Sequence, residues 1–235
     1  MDDKKYDLYC CEKAEEGKEL LREKGLEPVE MGPTVKKSDI IIMAVPDVAI
    51  KAISEKVVPM MEPDTALLLL DPAAAYAGEL EVRDDCTFVV THPCHPAMFQ
   101  EQETEAARKD VFGGIAAKQD IVIALLQGKE KIFEKVEAVC KDMFAPVVNC
   151  HRITVEQMAL LEPAAAEVVA AACANIMKEA YDEVVERGVP EAAARSFLLG
   201  HIQIPLAIVF DEISSPFSDG AKVAIQEGYK RLLKN

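Results

Sequence analysis

The segment Thr91–Pro96, reading THPCHP, sets His92 and His95 three residues apart on a turn stiffened by Pro93 and Pro96. Two imidazoles at the end of a β-rich run (TFVVT) can point into a crevice. There they would ligate a metal, or act as a proton-transfer base and its neighbour; the alternative is a turn carrying two solvated histidines. A second concentration lies in MALLEPAAAEVVAA, Met158 to Ala171, where Glu162 and Glu167 stand five residues apart with Pro163 between them. Ionised carboxylates on an apolar helix are costly to bury unless paired or metal-bound, so either each faces water or they serve a site. His201, in LLGHIQIP, is a third polar residue in apolar surroundings, where a lone histidine is more often a satisfied core residue than a ligand. Together His92, Glu162, Glu167 and His201 could build a divalent metal site of nitrogen and oxygen ligands, suited to polarising a hydroxy-ketone.

Glu12 follows the β-rich YDLYCC. An acid at a strand's end is where a dinucleotide fold hydrogen-bonds a ribose 2′-hydroxyl, favouring NAD over NADP; the plainer reading is a solvated loop acid. Val45, Pro46 and Asp47, in the AVPD that ends SDIIIMAV, would let a dinucleotide lie across the strand end. The G-x-G-x-x-G phosphate loop is absent, and Gly113-Gly114 does not open a helix after a strand, so it cannot replace it. If Tyr6–Cys11 is a second strand, the central first strand and its glycine loop are missing; otherwise the sheet has a different topology.

These residues need a scaffold, and the pattern supplies one. Ser38–Val45, Ala66–Leu70 and Thr87–Thr91 are continuous β-branched or apolar runs, as in strands buried on both faces of a parallel sheet, and Ile121–Leu126 predicts one more. Helices are predicted near Glu15–Lys24, Val48–Met60 and Glu130–Met143. From Thr154, with Gln157 at capping-box spacing, the strand runs cease and long helices follow, broken at Gly188-x-Pro190 and expected to kink at Pro205. The chain therefore divides into residues 1–150, an incomplete Rossmann-like dinucleotide-binding domain, and 151–235, a helical substrate and dimerisation domain.

Half of the 235 residues are hydrophobic, enough for a sizeable core, and the formal charge of −15 argues against nucleic acid or an anionic membrane as partner. No run approaches the roughly 18 consecutive apolar residues of a membrane span, and the N-terminus does not read as a signal peptide, so the expected location is cytoplasmic. The seven cysteines lack zinc-knuckle or redox spacing and read as reduced, mostly small core residues.

SDIIIMAVPD, THPCHP, VEQMALLEPAAAE and KEAYDEVVERGVPEAAARSFLLGHI together resemble the phosphogluconate dehydrogenase-like and ketol-acid reductoisomerase-like enzymes. The resemblance spans nearly the whole chain. It implies an α/β fold, a Rossmann-like parallel sheet followed by an all-α domain of the 6-phosphogluconate dehydrogenase C-terminal type, and an N-terminus about one β-α unit longer. It also implies a homodimer interlocked through the helical domain, with NAD and a divalent metal, magnesium or zinc, as cofactors. The activity implied is oxidation coupled to isomerisation of a branched sugar acid. In this comparison Glu162 and Glu167 fall close to the paired acids, although reductoisomerases space theirs four apart, and His201 falls where a further carboxylate is expected. The residues themselves favour His92 and Glu162 as the direct metal ligands and His95, Glu167 and His201 as catalytic groups. Two alternatives stand: a metal-independent β-hydroxyacid dehydrogenase relying on Lys178, and a cofactor-free remnant that only dimerises and binds a small acid.

Overall fold

A computed structural model describes residues 5–232. The fold is α/β: a largely parallel, Rossmann-like sheet followed by an all-α C-terminal part. In chain order the elements are α1 (Glu15–Glu23), α2 (Met31–Lys37), β1 (Ile40–Met43), α3 (Asp47–Val57), β2 (Ala66–Leu69) and α4 (Ala73–Tyr76). Then come β3 (Thr87–Pro93), α5 (Glu105–Lys109), β4 (Gln119–Gln127), α6 (Glu130–Met143) and β5 (Val147–Arg152). The helices α7 (Val155–Ala159), α8 (Ala172–Glu186), α9 (Glu191–Val209) and α10 (Asp219–Leu232) complete the chain, with a π-helical stretch over Leu160–Ala171 between α7 and α8.

The five strands lie in the order β1-β2-β3-β4-β5, with β1, β2 and β3 mutually parallel, β4 antiparallel to β3, and β5 parallel to β4. Two of the apolar runs are buried as their composition requires: all four residues of β2 are buried, and Phe88, Val89 and Val90 in β3 are fully enclosed. β1, expected to be buried on both faces, lies at the sheet edge and buries only Met43 fully. One face packs Leu67, Leu69, Phe88 and Val90 against α3, α4 and α7, with Met158 of α7 fully buried there. The other packs Leu68, Val89 and Ile123 against Phe133, Val136 and Cys140 of α6. Burial pushes the Cys140 thiol up to about 12, so it is an inert core group. Of the seven cysteines, though, only Cys86 and Cys140 are buried, and Cys11, Cys94 and Cys173 are exposed, fewer in the core than composition alone suggests.

Three expectations change. Tyr6–Cys11 forms no strand; its ladder contact is a single parallel bridge between Cys10 and Pro28, with Val29 N–H donating to the Cys10 carbonyl at 2.9 Å. The sequence also predicts a short strand from about Glu27 to Met31; there only Pro28 makes that bridge, and α2 begins at Met31, with Pro33 in its first turn, where a missing N–H costs nothing. β5 was not anticipated, because VVNCHR is short, polar at alternate positions and mostly exposed as a sheet edge.

The turn from β4 into α6 depends on Gly128, at φ +124°, where an added Cβ would lie 2.6 Å from the Thr87 Cα and 2.5 Å from its Oγ1. Backbone cannot retreat as a flexible side chain can. Gly128→Ala should therefore destabilise the protein by about 2–3 kcal/mol in denaturant titration, and a loss below about 0.5 kcal/mol would contradict the tight turn.

The chain divides into two compact units, Met1–Val168 and Val169–Asn235. In the first, the expected capping box starts α7: Thr154 Oγ1 accepts from Gln157 N–H, and Gln157 Oε1 accepts from Thr154 N–H at 3.0 Å. In the second, α8 and α9 are separated at Gly188, φ +95°, and Pro190 opens α9, which runs through Pro205 to Val209. The helical stretches Val155–Glu186 and Glu191–Val209 are long and apolar enough to cross a membrane by length and composition alone, and almost none of their apolar windows is buried within the single chain.

Candidate active site

The site follows from strand register. Met43 pairs with Leu69, and Leu69 with Val90, and all three side chains enter the same core face. Two residues further along each strand the side chains return to that face, which sets Val45, Asp71 and His92 in one row across the C-terminal ends of β1, β2 and β3. α7 is docked on this face by Val155 and Met158, so the helical stretch that follows carries Glu162 over the strand ends. Asp71, His92 and Glu162 each present a ligand atom, and these atoms all lie within 4.8 Å of one another.

Sequence reasoning named His92 and Glu162 but missed Asp71. The signal was present in the Asp71-Pro72 that closes ALLLL, but only the parallel register, which sequence does not print, brings it beside His92. Asp71 Oδ1 accepts the Ala73 N–H at 2.7 Å, which holds the carboxylate at the start of α4. His92 Nδ1 lies 2.8 Å from the Pro93 carbonyl; a carbonyl only accepts, so Nδ1 carries the proton and Nε2 keeps its lone pair for a ligand.

Glu162 lies in the π-helical stretch with Pro163 inside it. Its hydrogen bonds run from i to i+5, so residues five apart stack as residues four apart do in an α-helix. The five-residue spacing of Glu162 and Glu167, a departure from the reductoisomerase pattern, thus puts both acids on one side of the helix. Burial pushes the Glu162 carboxyl up to about 7, with the charges of Asp71 and Glu167 adding to the effect. Asp47 is raised too, by burial and then by Asp71. Half-buried carboxylates that repel one another around an imidazole nitrogen are a donor set whose energetics a divalent cation would reverse.

Beside this cluster is a cavity of about 260 Å³ lined by Met43, Ala44, Val45, Pro46, Asp47, Ile50, Leu70 and Asp71. Three of the four residues expected to hold a dinucleotide therefore share a wall with Asp71. Glu12 is not among the lining residues; one of its oxygens caps the approach to α1, accepting the Lys13 and Ala14 N–H groups at 2.7 and 2.8 Å.

His95 meets His92 edge-on, with ring centroids 5.9 Å apart, and its Nδ1 lies 2.8 Å from the Phe112 carbonyl. Glu167 is exposed one helical turn beyond Glu162. His201 lies in the second unit, where its Nδ1 bonds the Phe197 carbonyl at 2.9 Å and its ring stacks on Phe197 with centroids 3.9 Å apart. Lys178, the lysine of the metal-free alternative, is ion-paired with Asp182 one turn along α8.

Residues 100–235 match the family model described as phosphogluconate dehydrogenase (decarboxylating) C-term. The chain is 46% identical over 231 residues to a D-apionate oxidoisomerase from Cupriavidus necator, covering 98% of this chain and 84% of that protein. It is 43% identical to a D-apionate oxidoisomerase from Blautia hydrogenotrophica, covering 97% and 80%. Among solved structures it is similar to a semialdehyde dehydrogenase NAD-binding protein from Cupriavidus necator crystallised in complex with calcium and NAD, with a TM-score of 0.94 and 45% identity over 97% of this chain and 83% of that one.

Proposed function

The chain belongs to the D-apionate oxidoisomerase family of oxidoreductases, and from that premise we propose that it couples NAD-dependent oxidation to isomerisation of a branched sugar acid, of the D-apionate to 3-oxo-isoapionate type, at a divalent metal centre. The observation that carries the metal reading is the convergence of Asp71, His92 and Glu162. Two carboxylates and one imidazole suit magnesium or zinc, and the similar C. necator protein that crystallises with calcium and NAD supports a cation and a dinucleotide in one fold. Val45, Pro46 and Asp47 would hold NAD along the neighbouring cavity; Glu12, outside that lining, is proposed for the ribose only as the acid that follows YDLYCC.

A cation so placed supplies Lewis-acid polarisation of the hydroxyl and carbonyl oxygens, and NAD supplies the hydride acceptor. The chain's own residues handle protons. His95, whose Nδ1 is engaged, offers Nε2 as the base for the substrate hydroxyl; Glu167 is the second acceptor, and His201 the third catalytic group of the proposal. The second unit leaves Phe197, Phe210 and Val223 between 67% and 72% exposed, a surface that a second copy of the chain would cover, so the assembly proposed is a cytoplasmic homodimer.

Incubation with D-apionate, NAD and magnesium or zinc should produce NADH absorbance that a chelator abolishes and added metal restores, from a protein with a two-chain mass by light scattering. Turnover indifferent to chelation but lost in Lys178→Ala would replace the metal reading with the metal-free dehydrogenase. A one-chain mass would overturn the dimer.

A further inference from the structure

We propose that the Asp110–Gly114 loop is a positioning device for His95, fixing its imidazole as the Nδ1–H tautomer through the Phe112 carbonyl so that Nε2 is the proton acceptor; this rests on the reading of His95 as the base. Four observations carry it. First, His95 sits at φ +60°, a left-handed conformation that a non-glycine residue seldom takes, and least of all before a proline such as Pro96. Strain of this kind persists only where surrounding contacts over-determine it. Second, His95 Nδ1 is 2.8 Å from the Phe112 carbonyl oxygen, which has no proton to give, so the ring nitrogen is the donor. The Phe112 ring meets the imidazole edge-on, with centroids 5.9 Å apart and planes at 78°.

Third, the loop is tied down by its own backbone. Asp110 Oδ2 accepts the N–H groups of Ile115, Ala116 and Ala117 at 3.1, 2.8 and 3.1 Å, and the Gly113 N–H returns to the Asp110 carbonyl at 3.2 Å. Gly113, at φ +75°, presses so closely on Gln119 that a Cβ would come within 2.5 Å of its side chain. Gln119 is itself fully buried and donates from Nε2 to the Phe144 carbonyl, so the loop rests on a fixed post at the start of β4.

Fourth, the loop does little for the core. Val111, Phe112 and Ile115 are 68%, 77% and 86% exposed. An anchored turn that buries none of its large apolar side chains holds its backbone for another purpose, and among the described residues the group outside the loop that the Phe112 carbonyl engages is His95. Asp110 does not touch His95 and acts only through that carbonyl.

Nitrogen-15 NMR of histidine-labelled protein in alkaline buffer reads the tautomer directly. In the unmodified protein His95 should be protonated on Nδ1 and bare on Nε2. Asp110→Ala should give a mixture of tautomers at His95 while His201, bonded within its own helix, stays unchanged. Asp110→Asn, whose amide oxygen can accept the same N–H groups, should restore the single tautomer. Turnover of Asp110→Ala should fall about 10-fold in kcat with KM within about 2-fold, a fraction of what a general base contributes. An Nε2–H tautomer in the unmodified protein, or a single Nδ1–H tautomer surviving in Asp110→Ala, overturns the proposal. The first of these needs no variant to fold. If the tautomer responds as expected but His95→Ala retains full turnover, the base assignment falls and the loop's control of the ring stands, so the two failures separate.

Discussion

Glu162→Gln is expected to lower metal-dependent turnover by roughly three orders of magnitude, about 4 kcal/mol of transition-state stabilisation at 1.4 kcal/mol per decade. Glutamine keeps the shape of the side chain and its place in the π-helical stretch but removes the charge that, with Asp71, would make the site attractive to a cation. The same substitution removes the cost of burying a charge there, which raises the Glu162 carboxyl most, together with the repulsion from Asp71 and Glu167, so the metal-free variant should unfold at the same temperature as the unmodified protein or higher. This pairing, lost turnover with undiminished metal-free stability, separates a ligand from a structural residue. Steady-state kinetics across a metal titration, run beside thermal unfolding in a chelator, provides both numbers. Near-normal turnover in the variant would sink the assignment of Glu162, and His92→Ala would then decide whether any metal acts at this cluster.

The sequence made the strands legible wherever burial left no choice. IIIM, ALLL and TFVV are unbroken β-branched or apolar runs, and each became a strand: ALLL and TFVV are buried throughout, while IIIM, at the sheet edge, buries only Met43 fully. It made two of the three clustered ligands legible for a related reason: His92 and Glu162 are polar residues where composition calls for apolar ones. Asp71 was not, because an Asp-Pro after a strand is also an ordinary stop signal, and its nearness to His92 comes from the pairing of Leu69 with Val90. Long-range register is set by packing of whole elements and leaves no local mark. The antiparallel direction of β4 escaped for the same reason. The unusual spacing of Glu162 and Glu167 was visible from the start, but its meaning was not, since only a helix with i to i+5 bonding makes five residues one turn. His95 shows the reverse case. Its two flanking prolines marked it as constrained, yet the left-handed backbone and the carbonyl that holds its ring lie 17 residues apart in the chain.

The second large effect concerns pH. Glu162 keeps its proton in the folded protein up to about pH 7, whereas the ordinary value is 4.5. Between those limits the folded state binds more protons than the unfolded one, so the stability of metal-free protein must fall as pH rises through this window. A divalent cation competes with that same proton. Its apparent affinity should weaken by up to about tenfold for each pH unit below about 7, and the stabilisation it confers should grow as pH rises. The metal-free and metal-loaded melting curves are therefore expected to diverge with increasing pH, the first descending while the gap to the second widens. In Glu162→Gln neither trend should survive, because the residue no longer titrates. If the two curves instead run parallel between about pH 5 and 8 in the unmodified protein, the proton and the cation do not share a site. Glu162 would then be a raised carboxylic acid serving proton transfer, with His92 and Asp71 left as a pair too small to hold a metal alone.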